Sequence, residues 1–269
     1  MAHRSSPFDP FDFDISPYDE TLRFPRRAFA WEFVRRHPVA SLAYTQQNVC
    51  APIAIALATD TLLVRLKRRF RLAEQLGLFF VPDPRQSARN VVPFWLPRSN
   101  PPALVTIERS CRQQRQVGLR DLPGRKQILI PPFGPPHIAC STPVYVGAFS
   151  LASDWRTLLE DAQLTVQLAA FDNFDAQLSA ARDLFHAYRG DVRSNWSDRS
   201  ADPKRLRGAL IAWDVRAAGG SHWDVAAILF GQDKVTDARR SGDDSLRERA
   251  RRAYAMAVNY VHGKYRELV

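Results

Sequence analysis

The sequence predicts an α+β protein: an N-terminal helical segment, a β-rich middle domain and a C-terminal all-α helix-turn-helix domain. Three observations predict it. Short β-branched or aromatic runs, separated by Pro, Gly and Asn, fill the stretch between residues 78 and 170. Helical periodicity returns over 174–189 and takes over everything after Pro203. The 269 residues, 45% of them apolar, are enough to bury the core of one large or two modest domains.

Residues 1–24 read as a flexible acidic-aromatic arm. Phe8, Phe11 and Phe13 alternate with Asp9, Asp12 and Asp14, and Pro7, Pro10 and Pro17 oppose regular helix. Residues 25–77 read as an N-terminal helical region. Within it "PRRAFAWEFVRRHP" places Phe29, Phe33 and Val34 on one face and Trp31 on another, a short amphipathic helix closed by His37-Pro38. The next run, "TLLVRLKRRFRLAEQL" over 61–76, fits either a helix or a strand leading into one.

Residues 78–190 read as the β-rich middle domain, ending in a helix. Its strand candidates are "GLFFVPDP", "PALVTIER", "KQILIPPF", "TPVYVGAF" and "AQLTVQLAAF". The prolines of "ILIPPFGPPH" confine strands there to edges or ends. The terminal helix, 174–189, rests on Leu178, Ala181, Phe185 and Tyr188, and the polar stretch 191–203 reads as a linker.

Residues 204–269 carry the helix-turn-helix reading. "KRLRGALIAWDVRAA" sets Leu206, Leu210, Trp213 and Ala217 in a stripe, and Gly219-Gly220 stops it. Ser221 and Asp224 then cap a second helix with Trp223, Ala226, Ala227 and Phe230 on its buried face. Two short helices across a Gly-containing turn are the skeleton of a helix-turn-helix. After a polar connector, 232–244, Ser245 and Glu248 supply a capping box for a third helix. Leu246, Ala250, Ala253, Ala257 and Val261 form its buried stripe. Arg247, Arg251 and Tyr254 lie on one flank, Arg249 and Arg252 on the other. A helix that reads DNA needs such an arrangement, with its N-terminal part in the major groove and basic flanks on phosphate. Ser245, Arg205, Arg207, His222 and Lys264 complete the candidate DNA-binding set.

The charge balance agrees with a polyanionic partner: Lys+Arg 38 against Asp+Glu 28, net +10, with a pI near 10.0. Cys50, Cys111 and Cys140 are odd in number and far apart, which argues against a disulfide framework or zinc site and for a reducing cytoplasm. The N-terminus "MAHRSSPFDPFDFD" has no apolar core of a signal peptide. The longest apolar stretch, "VCAPIAIALATDTLLV", is interrupted by Pro52 and Asp60, so no membrane partner is expected. The six histidines share no metal-type spacing, and no nucleophile elbow, P-loop or dinucleotide motif occurs. His137 and Cys140 read as incidental neighbours in a Pro-rich loop. The expectation is a non-enzyme with no cofactor and no metal.

"LRGALIAWDVRAAGGSHWDVAAILFG" followed by "SLRERARRAYAMAVNYVHGKYRELV" resembles the RovC-like transcription-factor DNA-binding domain. Val225-Ala226, Leu229-Phe230-Gly231, Leu246-Arg247, Arg249, Arg251-Arg252 and the terminal Gly263-Lys264-Tyr265-Arg266-x-Leu268 carry the resemblance, with Lys264 where a second glycine is commoner. "AWEFVRRHP" is similar to a short companion domain found in activators encoded on integrative and conjugative elements, with His37 in place of the usual Asn. The resemblance implies a transcriptional activator, of mobile-element excision and transfer in some members and of a secretion system in others.

Residues and resemblance together predict a cytoplasmic, sequence-specific regulator that binds double-stranded promoter DNA, with RNA polymerase and further copies of the chain as partners. The alternative is a protein-interaction module, an antiactivator or assembly subunit that docks an acidic partner through the C-terminal helices.

Overall fold

Among the described residues, helices dominate both ends of the chain and strands its middle, so the fold is α+β. The computed structural model describes residues 8–10, 12–58, 60–96, 104–109, 124–142, 145–151, 162–167, 178 and 202–269. The helix expected over 174–189, except for helical Leu178, and nearly all of the 191–203 linker lie outside the described residues. Two compact units share the chain: Pro38–Ser194, and a discontinuous unit of Met1–His37 with Asn195–Val269.

The continuous unit is built on a mixed sheet. Its strands are β1 Ile53–Ala58, β2 Thr61–Arg65, β3 Leu104–Arg109, β4 Arg125–Ile130, β5 His137–Thr142, β6 Tyr145–Leu151 and β7 Ala162–Gln167. They lie in the order β1-β2-β4-β5-β6-β3-β7. The β2–β4 and β6–β3 pairs are parallel and the other neighbours antiparallel. Proline sets the β4–β5 hairpin: β4 stops before Pro131 and β5 starts after Pro136. Ile128 and Leu129 point to opposite faces of β4 and both are fully buried, as in a central strand covered on two sides. "GLFFVPDP" forms no strand; its Leu78 makes only an isolated bridge to Trp95. Of the two readings of 61–76, the strand leading into a helix is the one observed, with β2 followed by a helix at Arg71–Gln75.

A helix over Pro38–Gln47 is tied to this body by one side-chain amide. Gln47 donates to the carbonyl of Val81 and accepts its N–H at 3.0 Å, satisfying a buried polar group twice. Cys140 and His137 stand three apart on β5, hence on opposite faces. Burial pushes the thiol up to about 12 and the imidazole down to about 4, so they make no dyad.

The discontinuous unit is helical. We number its helices with the two above: α1 Ser16–Asp19, α2 Arg26–Val34, α3 Pro38–Gln47, α4 Arg71–Gln75, α5 Pro203–Ala217, α6 His222–Phe230, α7 Gln232–Ser241 and α8 Ser245–Val261. A 3-10 turn, Lys264–Leu268, follows α8. Ile211, Ala212, Val215, Val225, Ala226, Val235 and Ala250 form a buried core shared by α5 to α8. The stretch expected to be a polar connector holds a full helix, α7. Only Val235 and Ala238 of "QDKVTDARRS" are buried, so its apolar face is one short stripe that sequence periodicity underweights.

Residues 12–24 lie on these helices: Phe13 and Tyr18 pack against the shared core, as does Phe8. Gly220 shows how close the approach is, because a Cβ there would come within 2.7 Å of Val215 Cγ1 and 2.9 Å of Phe8 Cδ1. Helix α2 is not amphipathic as expected. Trp31 is as fully buried as Phe29 and Phe33, since α5, α8 and the terminal 3-10 turn enclose it. Phe33 stacks on Tyr260 with ring centroids 4.8 Å apart.

Charge closes the seam between α2 and α5. Arg36 forks onto Asp214, Nε to Oδ1 at 2.9 Å and Nη2 to Oδ2 at 2.6 Å, and its Nη1 donates to Glu32 Oε2 at 2.8 Å. The Tyr18 hydroxyl donates to the same Asp214 carboxylate at 2.5 Å. Burial by itself pulls the Arg36 guanidinium down, but its hydrogen bonds to Asp214 and the charges of Asp214 and Glu32 outweigh burial and hold it above its ordinary value. Burial, then the charge of Asp214, pushes the Tyr18 phenol up.

Candidate nucleic-acid interface

The candidate surface is built around the first turns of α8. Ser221 caps α6 as expected: its hydroxyl accepts from the Asp224 N–H at 3.2 Å, and the Asp224 carboxylate accepts from the Ser221 N–H at 2.7 Å. The start of α8 differs from expectation. Ser245 is its first helical residue rather than its cap, and no capping box with Glu248 forms. Asp243 takes both the Ser245 N–H, at 2.8 Å, and its hydroxyl, at 2.9 Å. Glu248 is left for Arg251, 2.9 Å away.

Ala250, Ala257 and Val261 are buried and Leu246 and Ala253 half-buried, so the expected stripe does face the core. Arg247, Arg249, Arg251 and Arg252 are all exposed. Their surroundings differ. Arg247 sits 3.7 Å from Asp244. The Arg249 guanidinium lies over the Phe230 ring, 4.3 Å from its centroid. Arg252 has no carboxylate partner among the described residues.

On one side of α8, Tyr254 is a packing residue. It is half-buried, with Trp213 stacked at 6.2 Å, His222 edge-on at 5.9 Å and the Arg216 guanidinium 5.6 Å from its ring. This cluster brings His222, at the start of α6, to Arg247 and Arg251. Burial first, then the charges of Arg216, Arg247 and Arg251, lowers the His222 imidazole below its usual range. Its Nε2 has no hydrogen-bond partner among the described residues.

On another side, an open groove runs between the start of α5 and the middle of α8. Asp202, Arg205, Arg252, Asn259, Tyr260 and Lys264 line it. Lys264 stands over the Tyr260 ring at 5.6 Å and 4.0 Å from Glu267. Arg207 is placed elsewhere. Its Nη2 pairs with Asp19 at 2.6 Å and its Nε donates to the Tyr18 carbonyl at 3.2 Å, which ties the N-terminal segment down. Asn259 and Arg216 join the surface without having been singled out in the sequence. Asn259 lies seven residues after Arg252, two turns along the same face, a spacing that flags it in retrospect.

Residues 159–269 match the model of a family, RovC_DNA-bd, described as "T6SS, Transcription factor, DNA binding domain". Over that stretch the chain is similar to this family. The match takes in all of α5 to α8, and with it both faces just described, and supports a DNA-binding regulator with DNA as its partner. No curated protein matches the chain. No helix among the described residues is long and apolar enough to cross a membrane, and no group of three His, Cys, Asp or Glu there could hold a metal ion.

Proposed function

We propose that the chain is a sequence-specific regulator of transcription, working in the cytoplasm on double-stranded promoter DNA. In this reading α5 and α6 are the helix-turn-helix pair and α8 is the helix that enters the major groove. The observation that carries it is the exposure of four arginines over two turns of one well-packed helix, inside the RovC-like region. Arg247, Arg249, Arg251, Arg252 and Ser245 meet the duplex from α8, with Arg205, His222 and Lys264 at the margins. Tyr254 and Arg207 act by holding the elements in place.

The test is promoter binding by the Arg247→Ala, Arg251→Ala double variant. Both side chains are exposed, so circular dichroism should stay unchanged while binding is lost. Intact binding would sink the site assignment. Affinity should also fall steeply with salt, and each mismatched base pair should cost about 1–3 kcal/mol. A protein-docking surface shows neither behaviour.

The same proposal makes the chain an activator, of mobile-element excision and transfer or of secretion-system genes, that contacts RNA polymerase. A reporter whose output falls when the chain is supplied would reverse the sign. Self-association completes the proposal, because paired half-sites call for paired readers. It is supported by β1, an uncharged strand at the end of the sheet order whose residues are nearly all exposed. Light scattering on the DNA-bound chain reads the assembly, and a monomer would refute it.

A further inference from the structure

The two faces of α8 are chemically unlike, and the difference assigns them different parts of a duplex. Arg247 and Arg251 each have an acidic neighbour one turn back, at 3.7 and 2.9 Å, and Arg249 rests on an aromatic ring. These are cations already partly neutralised and held in position. The groove between α5 and α8 differs in its two arginines, although its Lys264 also has an acidic neighbour, Glu267 at 4.0 Å, and an aromatic ring, Tyr260. Neither Arg205 nor Arg252 has a carboxylate partner among the described residues, and both line the same concavity with Lys264 and the Asn259 amide. Its one carboxylate, Asp202, already accepts the Lys204 N–H at 2.9 Å as the cap of α5. Two guanidiniums without a carboxylate partner among the described residues, brought to one groove from two helices, make a place that favours an anion.

The groove is open, and its cations are exposed rather than buried. A lone phosphate would gain little there against bulk water. A phosphodiester chain gains more, because each neutralised phosphate releases condensed counterions. Leu206, Ala255, Met256 and Tyr260 add apolar lining against which deoxyribose can pack. We propose that this groove is a subsite for the sugar-phosphate backbone, in which Arg205, Arg252 and Lys264 hold phosphates and Asn259 adds a neutral donor. Resting on the DNA-binding reading above, the proposal leaves Arg247 and Arg251, across α8, as the residues presented to base edges.

The experiment uses the full chain and two 30-base-pair probes, one selected from a random pool by the wild-type protein and one of scrambled sequence. Affinity is measured by fluorescence anisotropy across a salt series for the wild type, for Arg205→Ala/Arg252→Ala and for Arg205→Lys/Arg252→Lys. The alanine pair should weaken both probes by a similar factor and reduce the slope of log affinity against log salt by about 2, roughly 1 for each lost phosphate contact. The lysine pair should recover most of that slope, since a phosphate accepts a point charge where a guanine edge wants the fork. Loss confined to the selected probe, or an unchanged slope, would overturn the subsite while leaving DNA binding intact. A wild type that binds neither probe would overturn the DNA-binding reading and the subsite together.

Discussion

Asp214 receives a guanidinium from one side and a phenol from the other, and the seam between α2 and α5 depends on that carboxylate. Arg36 is its partner and also the partner of Glu32, whose side chain is only 3% exposed. Removing the guanidinium leaves Glu32 with Arg35 alone, at 2.6 Å, and Asp214, a quarter exposed, with the Tyr18 hydroxyl. Arg36→Met should therefore destabilise the helical unit by about 1–3 kcal/mol, the usual cost of removing a hydrogen-bonding partner from a largely buried cluster that keeps other contacts. Hydrogen exchange at the α2 and α5 amides reads this unit separately from residues 38–194; a loss under about 1 kcal/mol would mean that water takes over the contact. The sequence shows "RRHP" as the end of a helix and nothing more. The partner is 178 residues away, and no local pattern announces a pairing at that range.

At the scale of elements, the two serines proposed as caps make a controlled comparison. Ser221 takes part in a reciprocal box, so Ser221→Ala should cost the helical unit about 1 kcal/mol. Ser245 sits inside the helix start and shares one exposed aspartate, so Ser245→Ala should cost clearly less. Equal losses in thermal midpoint would contradict the geometry. Ser221 was legible because both partners lie within four residues and nothing competes with them. Asp243-Asp244-Ser245 offers three candidate acceptors in a row, and the chain settles on the first. The same limit explains α7, whose two buried residues acquire meaning only against α5, α6 and α8. Strands β4, β6 and β7 were legible from β-branched and aromatic runs. By contrast β5, "HIACST", has one such apolar residue and owes its place to its neighbours β4 and β6. The arginines of α8 and their exposure followed from helical spacing alone, whereas the packing role of Tyr254 needed Trp213, 41 positions earlier in the chain and 6.2 Å away across the rings.

For the molecule as a whole, β1 sets the terms of assembly. "IAIALA" has no charge and no proline within it, and among the described residues only β2 pairs with it; a register shift between Ala56 and Ala58 is the one feature there that works against edge pairing. Ile55→Lys places a charge in the middle of that edge without disturbing the β2 register. It should reduce the assembled form to a monomer in light scattering, with an unchanged circular dichroism spectrum; an unchanged mass would move self-association elsewhere. The discontinuity of the helical unit has a consequence in time. Phe29, Trp31 and Phe33 are made early, but the helices that cover them begin only at residue 203. At about 5–20 residues per second, a ribosome needs roughly 10–30 seconds to reach that point. Throughout that interval an aromatic helix waits without its partners. Residues 38–194 can fold in the meantime, so the part that resembles a DNA-binding domain is completed after them.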